Sequence, residues 1–256
     1  MNGTTTTIFG ICFIFFMTML GASLIFFMKK GKDDKGNPFL SNLSGGIMLA
    51  SSFFSLLLPA ISSAESYGDF DFVPAVVGFL AGALFMFLLD CYLNKTKTSH
   101  FEGKRLSKNK KVFIAISLHN IPEGLSVGVA FGTALLGGAM SLVAALSLAI
   151  GIGIQNIPEG LAVAQPAFEE SKSKTKAFFY GVCSGIFEPI FAVIGFFLSY
   201  IFTSVLPWLL AFAAGTMIFT IVSELMPSDE NGKKSLGIWG FVIGFAIMML
   251  LDVAFA

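Results

Sequence analysis

Two near-identical heptapeptides set the same unusual group of side chains into apolar stretches: His119-Asn120-Ile121-Pro122-Glu123-Gly124-Leu125 and Gln155-Asn156-Ile157-Pro158-Glu159-Gly160-Leu161. Six of the seven positions agree at an offset of 36. On a helix, His119 and Glu123 are i, i+4 neighbours, as are Gln155 and Glu159; Asn120–Glu123 and Asn156–Glu159 are i, i+3. Each heptapeptide therefore carries a polar stripe three residues wide, and the two stripes can face each other. A third acid, Glu188, precedes Pro189 in another apolar stretch. Pro122, Pro158 and Pro189 lack an N–H and free the carbonyls of Leu118, Ile154 and Gly185. One imidazole, three carboxylates and several amide oxygens suit a borderline divalent cation such as Zn²⁺, Fe²⁺, Mn²⁺ or Co²⁺. A hard, all-oxygen Mg²⁺ site would not need the histidine.

The elements that carry these residues follow from composition. The 256 residues are 55% hydrophobic and 12% charged, with mean hydropathy +0.82. Soluble domains carry about 25% charged residues, so a water-soluble globule is excluded. Lys+Arg 16 against Asp+Glu 16 leaves no basic excess for nucleic acid. The 30 phenylalanines and long apolar runs exclude disorder. Cys12, Cys91 and Cys183 lie far apart with no CxxC, and read as small packing residues. A spanning helix needs about 20 mostly apolar residues. Eight segments qualify: 6–28, 43–63, 72–93, 112–136, 141–166, 177–203, 206–226 and 235–255. The expectation is an all-α integral membrane protein, one transmembrane domain over 1–256. The first segment lacks the basic n-region of a cleaved signal peptide.

The charges orient it. Loops 29–42, 94–111, 167–176 and 227–234 hold every Lys and Arg of the chain. These are alternate loops, so they share one face of the membrane. By the positive-inside rule that face is cytoplasmic and both termini are extracellular. The opposite loop 64–71 is acidic, with Glu65, Asp69 and Asp71. The basic loop 94–111 reads as an anchor to anionic lipid of the bilayer, and its His100 as a solvated residue.

A second, fainter repeat relates Gly46-Ile47-Met48 through Pro59 in segment two to Gly215-Thr216-Met217 through Pro227 in segment seven. Those segments run in opposite directions, the mark of inverted repeats in secondary transporters. The expected plan is 3+2+3, with segments four and five as the central pair.

Glu123, Glu159 and Glu188 lie ~10–18 Å from a segment end at 1.5 Å per residue. A carboxylate there costs roughly 2.5–3.5 kcal/mol on an insertion scale. No Lys or Arg is available to offset this, so the acids are protonated, water-exposed in a cavity, or balanced by an external cation. Asp90, Glu224 and Asp252 sit near segment ends within reach of water and are expected to line the pathway. Helix-bridging hydrogen bonds, worth about 0.6–2 kcal/mol each, explain one such polar residue but not a duplicated set.

These residues resemble the ZIP family of divalent-metal transporters, most closely its prokaryotic GufA/ZupT-like branch. The match covers nearly the whole chain. The resemblance implies a binuclear site at the centre of the bundle, for zinc foremost, or for iron, manganese, cobalt or cadmium as substrate, with no prosthetic group. Its ligands would be His119, Asn120, Glu123, Gln155, Asn156, Glu159 and Glu188, with Met48 as a sulfur ligand from segment two. Ser55 looks like the family's pathway-lining serine. Many members have His where Gln155 stands and some have Asp where Asn156 stands, so neutral amides weaken the second subsite. The family's His-rich cytoplasmic loop is reduced here to His100. The implied protein is a homodimeric importer in the plasma membrane.

The same residues admit other classes. The carboxylates could relay protons in a carrier or line a cation channel, and sequence does not separate import from export. Gly124-Leu125-Ser126-Val127-Gly128 matches the GxSxG of serine hydrolases. But Ser126 is seven residues, ~10 Å, from His119 on one helix, too far for a nucleophile–base pair. Ser126 reads instead as helix packing, and the chain as no enzyme.

Overall fold

The computed structural model describes residues 2–28, 38–95, 108–137, 140–200, 205–226 and 234–255. Among these residues eight helices are long and apolar enough to cross a membrane: α1 (Gly3–Phe26), α2 (Asn42–Ser62), α3 (Tyr67–Tyr92), α4 (Val112–Leu135), α5 (Leu142–Ser171), α6 (Lys174–Leu198), α7 (Leu206–Ser223) and α8 (Ser235–Ala254). No strand occurs among the described residues. Local chemistry sets several ends. The side chains of Asn2, Ser141 and Ser173 accept from Thr5 N, Ala144 N and Lys176 N, capping α1, α5 and α6. Lys174 Nζ donates to Phe26 O at 2.9 Å, placing a cation at the C-terminal end of α1.

Three features depart from the reading of the segments. α5 runs through Pro166 to Ser171, past the apolar stretch, because Ser171 Oγ donates to Ala167 O and left-handed Lys172 closes the turn on Phe168 O. α6 is interrupted at Ile186, between an N-terminal half ending at Gly185 and a C-terminal half starting at Phe187. The cysteines do not pack inside: Cys12 and Cys183 stand on outward helix surfaces, where a thiol tolerates apolar surroundings as well as a core does.

The helices pair as α1 with α5, α4 with α6, α2 with α8, and α3 with α7. Glycines bring the backbones into contact. A Cβ on Gly46 (α2) would lie within 3.0 Å of Phe241 on α8, and one on Gly215 (α7) equally close to Phe79 on α3. Gly82 (α3) meets Phe212 on α7, and Gly244 (α8) meets Leu43 on α2. Residues 46 and 43 precede 215 and 212 by 169; residues 82 and 79 precede 244 and 241 by 162. Both α2 and α7 also loosen into a π-helical stretch, Ser52–Leu57 and Ile221–Leu225, again 169 residues apart at their starts. Beside these stretches Ser52 Oγ donates to Met48 O and Thr220 Oγ1 to Thr216 O, diverting carbonyls of the helical ladder.

Gly82→Leu should force α3 off α7 and lower stability by about 1–3 kcal/mol, read as a fall in thermal midpoint in detergent. Ala81→Leu on the exposed side of the same helix should leave it unchanged. Equal midpoints for the two variants would contradict the backbone contact.

Candidate metal site

α4 and α5 pass through Pro122 and Pro158 without interruption and carry the two heptapeptides into the centre of the protein. His119, Asn120, Glu123, Gln155, Asn156, Glu159 and Glu188 are all fully buried. One ligand atom from each of His119, Glu123 and Glu159 lies within 4.8 Å of the other two. His119 Nε2 is 3.2 Å from Glu123 Oε1, and Gln155 Nε2 donates to that same oxygen at 2.5 Å. On the far side of the ring, His119 Nδ1 meets Thr216 Oγ1 of α7 at 3.0 Å.

What these contacts leave over decides the chemistry. His119 Nε2, Asn120 Oδ1, Glu123 Oε2, Gln155 Oε1, Asn156 Oδ1 and both oxygens of Glu159 have no hydrogen-bond partner. Six are amide or carboxyl oxygens, and the seventh is an imidazole nitrogen. A buried polar atom left unsatisfied costs about 1–3 kcal/mol, and such atoms ordinarily find partners. A divalent cation satisfies this kind of group, since it replaces several missing donors at once. Ligand atoms around tetrahedral Zn²⁺, at about 2.0–2.2 Å from the metal, stand on the order of 3.3 Å apart. The His119–Glu123–Glu159 triangle closes to that size with side-chain adjustments of about an ångström.

Glu188 stands differently. Its Oε1 accepts from Thr18 Oγ1 at 2.8 Å and Asn120 Nδ2 at 3.2 Å, and its Oε2 from Asn156 Nδ2 at 2.6 Å. Each asparagine gives its other amide hydrogen to a backbone carbonyl, Asn120 to Ser184 O and Asn156 to Ile14 O. Both Nδ2 atoms touch only acceptors, which fixes the amide orientations. The carboxylate is thus held by donors from α1, α4 and α5, and does not join the His119 group. The sequence reading missed Thr18 and Thr216. Both are lone hydroxyls within apolar stretches, and no spacing or repeat in the sequence singles them out.

The remaining candidates are dispersed. Ser55 Oγ donates to Asp252 Oδ1 at 2.6 Å. Both line a cavity of about 800 Å³ between the C-terminal halves of α2 and α8 and the N-terminal half of α5. Gly151 and Ile154, just before Gln155, belong to the same wall. Met48 is fully buried in the apolar core beside Ile152 and Met217. Asp90 is exposed near the end of α3, outside that cavity wall. The side chain of Glu224 and the whole of His100 lie outside the described residues. Ser126 Oγ donates to Pro122 O on its own helix at 2.7 Å, which commits the hydroxyl to packing.

Asn156→Leu removes a donor from a buried carboxylate oxygen. The thermal midpoint of the metal-free protein in detergent should fall by the equivalent of about 1–3 kcal/mol; wild-type stability would contradict the clamp on Glu188.

Residues 111–252, which include both heptapeptides and Glu188, match the family model described as ZIP Zinc transporter. The chain is 32% identical to the zinc transporter ZIP11 of Xenopus tropicalis, over 93% of this chain and 93% of that protein. It is 33% identical to the zinc transporter ZupT of Akkermansia muciniphila, over 91% and 92%. It is 34% identical to the zinc transporter GufA of Myxococcus xanthus, over 77% and 80%. A matching family model across more than half of the chain, and relatives above 30% identity along nearly all of it, identify the protein as a member of the ZIP family of transporters.

Proposed function

We propose that this protein carries divalent transition-metal cations, zinc foremost, across the plasma membrane into the cytoplasm. The observation that carries the reading is the convergence of His119, Glu123 and Glu159 within 4.8 Å, with His119 Nε2, Glu123 Oε2 and both oxygens of Glu159 buried and without a hydrogen-bond partner. The relatives named zinc transporters support it. In this reading His119 Nε2, the carboxylates of Glu123 and Glu159 and the Gln155 carbonyl hold the cation, and Met48 offers a thioether from α2. Asn120, Asn156 and Glu188 form a second subsite. A cation there competes with three hydrogen-bond donors for one carboxylate, so it is the weaker of the two.

The cavity beside Ser55 and Asp252 is the route by which the cation reaches α5 from the face that bears both termini. All sixteen Lys and Arg fall in alternate loops, which supports a cytoplasmic position for those loops and extracellular termini. The matched contacts of Gly46 with Gly215 and of Gly82 with Gly244 support the 3+2+3 plan with inverted repeats. α1, α4, α5 and α6 form one group and α2, α3, α7 and α8 the other, and the groups shift as rigid bodies to open one face and then the other. The assembly is a homodimer. A channel lined by the same carboxylates is the second reading, favoured by the breadth of the 800 Å³ cavity.

In liposomes holding the purified protein, Zn²⁺ uptake should saturate, and Glu159→Gln should weaken zinc binding at least about tenfold. Uptake that rises linearly with zinc favours the channel. Unaltered affinity in Glu159→Gln removes that residue from the ligand set. Single cysteines beside Ser55 and beside Ser44 should exchange their accessibility to a membrane-impermeant thiol reagent when Zn²⁺ is added; constant labelling on both faces contradicts alternating access.

A further inference from the structure

We propose that Thr216 is a positioning residue that decides which nitrogen of His119 faces the cation. The inference rests on the reading of His119 as a ligand and adds the group that makes it one.

Thr216 is fully buried on α7. Its Oγ1 lies 2.7 Å from Ala213 O and 3.0 Å from His119 Nδ1. Two oxygens at 2.7 Å need a proton between them, and a carbonyl has none to give. The single hydroxyl proton of Thr216 therefore goes to Ala213 O. Toward His119 the hydroxyl can only accept, so Nδ1 must carry the imidazole proton. In a neutral ring this leaves Nε2 as a lone pair.

The other side of the ring agrees. Nε2 is 3.2 Å from Glu123 Oε1, yet it makes no hydrogen bond with correct geometry. Glu123 Oε1 instead takes its donor from Gln155 Nε2. The nitrogen facing Glu123 is therefore oriented for a Lewis acid. Metal-ligating histidines commonly give their second N–H to an oxygen that fixes tautomer and ring orientation. Here that oxygen is a threonine hydroxyl whose own proton is held by its helix. The requirement is for an acceptor at this position, so Thr216→Ser preserves the device and the near-isosteric Thr216→Val removes it.

The chain has two histidines, so a His100→Ala background leaves His119 as the only imidazole. Full-length protein on that background is labelled with ¹⁵N-histidine, purified in detergent and stripped of metal. Long-range ¹H–¹⁵N correlation then distinguishes the Nδ1–H from the Nε2–H tautomer, and calorimetry with Zn²⁺ alone gives the affinity. The parent and Thr216→Ser should show the Nδ1–H tautomer. Thr216→Val should move toward Nε2–H and bind zinc about 10–100-fold more weakly, with an unchanged thermal midpoint. A Thr216→Val protein that keeps the parent's tautomer overturns the proposal, whether or not its affinity falls, since a loss without a tautomer change would come from packing. A parent that shows the Nδ1–H tautomer but binds no zinc contradicts the ligand reading of His119, while the tautomer comparison still decides the role of Thr216.

Discussion

Buried electron-pair donors with no hydrogen to receive are the constraint on which the rest of this structure depends. Every lysine and arginine of the chain falls within 29–42, 94–111, 167–176 or 227–234, in the connections or in the helix ends that border them. Among the described residues no fixed positive charge reaches Glu123 or Glu159, and neither oxygen of Glu159 has a hydrogen-bond partner of good geometry. In a medium without water, such a group must be matched by a proton or by a cation. The helices around it are arranged so that its acceptors converge while their own polar atoms are spent elsewhere. Thr216 spends its proton on Ala213, Ser126 on Pro122, and the asparagine amides on Glu188 and two carbonyls.

The two kinds of polar cluster divide the work. Glu188 with Thr18, Asn120 and Asn156 ties α1, α4, α5 and α6 together through ordinary hydrogen bonds. The His119–Glu123–Glu159 group lies at the edge of that assembly, where His119 reaches across to Thr216 on α7. Ser44 of α2 makes a second crossing, to Pro158 O on α5 at 3.2 Å. Glycines hold α2 against α8 and α3 against α7 backbone to backbone, so the second group presents a firm wall.

Much of the architecture was legible because its signals are local. Apolar length marks the eight helices, loop charge marks their alternation, and the repeated heptapeptide marks α4 and α5 as the polar pair. What was not legible depends on distances between helices. Spacing alone treats Glu188 as equivalent to Glu123 and Glu159, yet three donors from other helices give it a different environment. Thr18 and Thr216 are single hydroxyls in apolar runs and look like packing residues until their partners are seen. The π-helical stretches of α2 and α7 contain no proline, although Pro59 and Pro227 follow them by two residues in the sequence, whereas Pro122 and Pro158 sit in uninterrupted helices. α5 continues beyond Pro166 because a serine hydroxyl and a left-handed lysine close its end, which hydropathy does not register.

The central claim is that one cation binds between His119, Glu123 and Glu159. X-ray absorption at the zinc edge on the His100→Ala protein loaded with one equivalent of Zn²⁺ tests it most directly. The account predicts a shell of nitrogen and oxygen at about 2.0–2.2 Å with outer-shell scattering from a single imidazole, and loss of that imidazole signature in His119→Ala. A zinc shell of oxygens alone in the His100→Ala protein, or one that His119→Ala leaves unchanged, would contradict it.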